Sequence, residues 1–230
     1  MKTPEQRKTE SEILLHKRGI RINVMLPLIE SDEEVLLRSP DDVWRRMLAL
    51  WAVTQSQHPA QRAFVQAYLQ QHGMNSWLST REQQLVKGNG GEAAAIDAAG
   101  YAAEPATESA TESAAAAESL FFIAWCAGVI KRIEMPSQES SLKPLTAMLP
   151  QAIEDDCALR QAIRLRSKDD IMSWADLLYR LHWAARHARL SHRPTPGNLN
   201  HCVLESWHKA VNWMIRYEDE DDWDRVGTDT

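Results

Sequence analysis

The densest run of chemically capable side chains is DLLYRLHWAARHAR, from Asp176 to Arg189. At helical spacing Asp176 faces Arg180, Tyr179 faces both His182 and Trp183, and His182 faces Arg186. A guanidinium makes bidentate contacts that an ammonium cannot imitate, so Arg180, Arg186 and Trp183 could line a pocket for an anion or a carboxylate, with His182 as a candidate general base. The plainer reading makes Tyr179 and Trp183 core aromatics with their polar tips satisfied at the edge. The arginines then lie along apolar neighbours with their heads in water.

A second constellation is His201, Glu205 and His208, spaced by four and three residues so that all fall along one helical face. Zinc accepts such ligands. The order is not HExxH, however, spacing identifies no fourth ligand, and Lys209 sits beside the set. The sequence therefore favours a polar stripe, with Glu205 paired to an arginine of a neighbouring helix, over a metal site. Glu205 and His208 join His182 as candidate catalytic groups.

Other motifs are lacking. Gly88, Gly90 and Gly91 precede acid and alanine rather than Lys-Ser or Lys-Thr, so they do not form a phosphate loop, and there is no GxSxG elbow. No cofactor motif is present. Cys126 lies in an apolar stretch where a thiol is inert, and neither Cys157 nor Cys202 belongs to a CxxC pair. An odd, scattered set of three cysteines, with no leader-like apolar stretch after Met1 to Glu12, suggests a reducing cytoplasm. The strongest apolar run, Leu120 to Ile130, falls short of the roughly 20 residues that cross a bilayer, so no membrane is expected.

Charge narrows the partners further. Twenty-six Lys and Arg against thirty-two Asp and Glu give a formal charge of -6, which makes nucleic acid an unpromising partner. Thirteen alanines, six acids and no basic residue fall between Gly88 and Ser119, so that segment alone carries a charge equal to that of the whole chain. Residues 88–113 read as a mobile insertion rich in Ala, Glu, Ser and Thr, inside a single domain that spans residues 1–230. The terminal YEDEDDWDRVGTDT sets seven acids against Arg225 alone. Trp223 and Val226 would be out of place in a solvated tail, so residues 218–230 are expected to fold back onto the body through Trp223.

The elements that would position these groups are helical almost throughout. Thr3-Pro4 opens a helix that Gly19 ends, and Ser39-Pro40 with Asp42 at the third helical position opens another. Further helices are expected over Ala60 to His72, from a cap at Ser79 or Thr80, over Ala114 to Ile133, near Ser141 to Leu149, and over Gln151 to Ile163. Ser167, with Asp170 as reciprocal partner, starts a long helix to about Leu190, and the last runs from His201 to Tyr217. IRINVMLPLI, from Ile20, reads either as one short N-terminal strand or as an extended arm across the bundle. No succession of strands could build a barrel or a doubly wound sheet, so the expected fold is all-α or mainly α, a single-domain orthogonal helical bundle.

The fragments RKTESEILLHKRGI, the Leu26-Pro27 pair, RSPDDVWRRMLAL from Arg38, LLYRLHWAARHA from Leu177, VLESWHKAVNWM and WDRVGTDT together resemble the bacterial domain-of-unknown-function family numbered 4272. The resemblance runs over almost the whole chain, interrupted by the Ala-rich segment. It implies a compact, mainly helical protein. It also implies characteristic polar positions at Arg38, Arg45, Arg180, Trp183, Arg186, Glu205, Asn212, Trp223, Asp224, Asp229 and Thr230, of which Arg38, Arg45, Asn212, Trp223 and Asp224 read as structural. It brings no catalytic assignment. Where the family has a Glu-Arg-His order near the last helix, this chain has Glu205, Ser206, Trp207 and His208.

Two functions follow as expectations. The first is a cytoplasmic interaction or accessory protein without catalytic activity, whose acidic segments engage a basic protein partner. The alternative is a hydrolase or small-anion-binding enzyme. There Arg180 and Arg186 hold the anion while His182, His208 or Glu205 moves a proton, which requires the last two long helices to turn these groups into one cleft. Periodicity does not separate a partner face from an interior one, so it gives no oligomeric state.

Overall fold

A computed structural model describes residues 1–88, 105–154 and 158–230. Helix starts fall where short polar side chains can satisfy the free N–H groups of a first turn. Thr3 caps α1 (Pro4–Lys17), Ser39 caps α2 (Pro40–Gln55) and Ser79 caps α4 (Thr80–Lys87). In each, the third helical residue, Gln6, Asp42 or Glu82, returns a bond to the cap's backbone. Pro59 opens α3 (Pro59–Gln71) without a side-chain cap. Ser167 caps α7 (Lys168–Leu190) and Asn200 caps α8 (His201–Met214).

The central helix, α5 (Pro105–Cys126), begins inside the stretch read as an insertion and stops well short of Ile133. Residues 89–104 of that stretch, and Cys157, lie outside the described residues. The stop has a specific cause. Gly128 takes φ +74°, and the backbone N–H groups of Arg164 and Arg166 donate to the carbonyls of Ala127 and Cys126, each at 2.8 Å. The Arg166 guanidinium covers the Trp125 carbonyl as well, so the helix end is satisfied by a distant segment rather than by another turn. Between α5 and α7 the two expected helices shrink to a 3-10 stretch, Lys143–Met148, and a single turn, α6 (Leu159–Ala162). Helix α8 ends at Met214, because Arg216 adopts a left-handed conformation at φ +54°.

The alternative of a short N-terminal strand is not realised. Among the described residues there is no strand, and residues 20–38 run as an irregular arm. Its carbonyls are claimed by cations. The Lys8 ammonium donates to the carbonyls of Val24 and Leu26, Arg180 to that of Pro27, and Lys168 to those of Asp32 and Val35. With its acceptors used in this way, the arm has no need of a partner strand.

Helix α5 packs on α8 and α2, and α7 packs on α8 and α1, the mainly helical bundle that the periodicity implied. Phe122, Trp125, Trp174 and Trp207 form one aromatic cluster with centroids 5.4 to 6.2 Å apart. Burial of each large apolar side chain in this core contributes about 1.5–3 kcal/mol. No helix of the described residues is long and apolar enough to cross a membrane.

Candidate functional site

Helices α7 and α8 lie side by side, and two irregular segments close over their outer face. The arm from Pro27 to Glu30 forms one lip, fixed by the bond from Arg180 to the Pro27 carbonyl. The chain after α8 forms the other. Asn212 donates to the Gly227 carbonyl at 2.9 Å and Arg186 to the Thr230 backbone oxygen at 3.1 Å. Between the lips is a cleft of about 420 Å³ whose wall includes Glu30, Tyr179, Arg186, His208, Asn212, Tyr217, Asp229 and Thr230, with Leu28, Ile29 and Ile215 as its apolar part.

Opposite charges face this cleft without neutralising one another. Among the described residues Arg186, Glu30 and Asp229 make no ion pair, and all three are exposed. The Thr230 hydroxyl is buried there without a hydrogen-bond partner. Desolvation raises the Tyr179 and Tyr217 phenols above their ordinary pKa, so both remain protonated donors.

The expected catalytic cluster does not assemble. Arg180 is 2% exposed and clamps Asp176, one turn away on α7, through two bonds of 2.7 and 2.9 Å; its Nη1, 3.9 Å from Glu12, is buried without a hydrogen bond, out of reach of a substrate in solution. His182 and His208 turn toward each other across α7 and α8, with Nδ1 atoms 2.9 Å apart. One ring must donate and the other accept, and burial disfavours a charge on either. Burial holds His182 down at about 4 and His208 at about 3, the latter also opposed by its neighbour's charge. Trp183 stacks on His187 at 5.0 Å, away from the arginines.

Glu205 is a correction. It meets no arginine of a neighbouring helix but sits 3.4 Å from His201 on its own helix. It opens onto a second cleft, of about 730 Å³, on the other side of α8. That cleft also holds Lys209, whose ammonium lies 5.0 Å over the Trp223 ring and whose pKa is lowered chiefly by burial. His182, Glu205 and His208 therefore do not converge. Among the described residues no three His, Cys, Asp or Glu are placed to hold a metal ion together.

Several of the residues read as structural make contacts between distant segments. Arg38 binds the Trp213 and Glu220 carbonyls and the Asp221 carboxylate. Asp224 accepts from the Ser79 hydroxyl and from the Arg81 backbone N–H, while Trp223, 8% exposed, lies edge-on to Trp213 and under Arg46. Arg45 lies over Trp77. Sequence reasoning missed Glu30, Ile29 and Tyr217 at the cleft. Their only signal was residue type, since they reach it through irregular chain far from α7 in sequence. It also missed Glu118, which is buried and accepts from the Trp207 indole and from Ser140.

Comparison with curated proteins and with solved structures returns no match. The family model described as Domain of unknown function (DUF4272) matches residues 7–226, nearly the full length, and the chain belongs to that family.

Proposed function

We propose that this chain is a non-catalytic accessory protein of the cytoplasm that binds a small zwitterion, of amino-acid or short-peptide size, in the cleft between the arm and the C-terminal segment. The observation that carries this reading is that Arg186, which meets no side-chain carboxylate among the described residues, lines the same cleft of about 420 Å³ as Glu30 and Asp229. A ligand carboxylate is recognised by the guanidinium, a ligand ammonium by the two carboxylates, and an apolar side chain by Ile29 and Ile215. Of the groups that would do acid–base work, His182 and His208 are bonded to each other and Glu205 opens onto the other cleft, while Arg180 is clamped to Asp176. Cys126 and Cys202 are free thiols, in keeping with a reducing compartment.

The test is calorimetric titration with free amino acids and dipeptides of varied side chain. At least one should bind saturably, and Arg186→Ala should weaken it by about tenfold or more, the worth of one charge-assisted contact. Folded wild-type protein that gives no saturable heat with any of them at millimolar concentration refutes the reading, as does binding that ignores Arg186→Ala.

A further inference from the structure

A third concavity, of about 350 Å³, lies where the N-terminal half of α2 meets the chain leaving α8. Four arginines reach it in a protein that is acidic overall: Arg38, Arg45, Arg46 and Arg216. Arg46 is neutralised by Glu82, both of whose oxygens lie 2.5 Å from its Nη2, although its Nε is buried without a partner. Arg45 and Arg216 are not so neutralised, and Arg38 is neutralised only by an exposed carboxylate. Arg45 is exposed, rests over Trp77 at 5.6 Å, and has no acceptor among the described residues. Arg216 carries a buried Nε without a hydrogen-bond partner, and its Nη1 stands 3.8 Å from Asp221. Arg38 is held by two carbonyls and by that same Asp221, whose side chain is 72% exposed. Its bond to Arg38, with the field of both arginines, lowers the pKa of Asp221.

We propose that this groove is a binding site for the phosphoryl group of a small phosphorylated molecule, and that Asp221 occupies the place of that group in the empty protein. Asp42 lines the groove as well as Asp221, so three guanidiniums against two carboxylates leave a local charge of about +1, rising to about +2 once Asp221 swings out, which a phosphate dianion matches better than a single carboxylate. The planar fork of each guanidinium suits two phosphate oxygens at once. Trp77, half-buried at the groove wall, supplies a surface for the organic part of the ligand. The chain that carries Arg216 and Asp221 is held out of its preferred conformations, with Arg216, Glu218 and Asp219 all at positive φ, as backbone at binding sites often is. An exposed carboxylate on such a segment can swing out when a stronger anion enters. This site shares no residue with the zwitterion cleft, and the two readings stand or fall separately.

Pyrophosphate is the probe, titrated calorimetrically at low ionic strength into the full chain, with chloride at matched ionic strength as blank. Wild-type protein should bind it saturably. Arg45→Ala and Arg216→Ala should each weaken binding roughly tenfold, the loss of one charge-assisted contact. Asp221→Asn should tighten it several-fold by removing the internal competitor. Circular dichroism and thermal melting confirm that each variant is folded, which the exposure of Arg45 and Asp221 favours. The proposal is overturned if neither wild type nor Asp221→Asn binds saturably, if the arginine variants bind as wild type does, or if Asp221→Asn binds no more tightly.

Discussion

Acidification from about pH 6 to about pH 5 should destabilise this protein through one buried pair, His182 and His208. Both rings are nearly inaccessible, at 6% and 3%, and their Nδ1 atoms share a single hydrogen. A proton added at the accepting Nδ1 sets two N–H groups against each other, and one added at the donor ring's Nε2 leaves the bond but charges a buried imidazole. The folded pKa values lie well below the unfolded 6.5, so the unfolded chain takes up protons that the folded one refuses. Stability contributed by the pair is therefore complete above about pH 6.5 and drains away as pH falls toward about 4. For a histidine that stays neutral in the fold, the loss between pH 6 and pH 5 is about 1 kcal/mol, and for the pair about 2 kcal/mol. Urea unfolding followed by tryptophan fluorescence at the two pH values measures it. The double variant His182→Gln/His208→Gln removes both titrations, and its loss over the same interval is the baseline. A wild-type loss no larger than that of the variant refutes the neutral-pair geometry. Should the variant fail to fold, proton NMR of the wild-type imidazole Hε1 resonances decides the same point, because two ring protons titrating near 6.5 are incompatible with a neutral buried pair.

Asp176→Ala should cost about 3–5 kcal/mol, because it strands Arg180, 2% exposed, without its carboxylate, and equilibrium unfolding reads this directly. Replacing Asp176 and Arg180 together by apolar residues of similar size should recover most of that loss, since the fault lies in the orphaned charge and not in the absence of the pair. Gly128→Ala should lower the melting temperature steeply. Its Cβ would stand 2.2 Å from the Arg164 carbonyl oxygen, a backbone atom fixed by the capping of α5, at a φ of +74° that already disfavours a side chain. A melting temperature within a degree or two of wild type would show that the segment at Arg164 can yield.

Local chemistry announced the helices wherever a polar cap preceded an apolar stripe. Thr3, Ser39 and Ser167 act where spacing put them, because a cap uses residues three positions apart and needs nothing from the rest of the chain. The pair of Asp176 and Arg180 was legible for the same reason, being one turn of one helix. What that pair is for was not. On an isolated helix Arg180 is an open guanidinium, and only burial under the arm, with Pro27 and Glu12 at its back, turns it into a fastener.

The mainly helical class, the cap positions and the acidic poise of the chain were thus fixed by residue type and spacing alone. Tertiary structure decided the rest. Helix α5 ends at Cys126 because Arg164 and Arg166, far along the chain, supply the N–H groups that its carbonyls would otherwise have sought in another turn. Glu205 and His208, three residues apart, face different clefts because the angle between them along α8 carries one past the α7 contact and the other into it. The arm is not a strand because Lys8, Lys168 and Arg180 reach its carbonyls first. The common physical reason is that hydrogen-bonding capacity is local in sequence, whereas the partner that uses it is chosen by whichever segment the packed core brings within 3 Å or so.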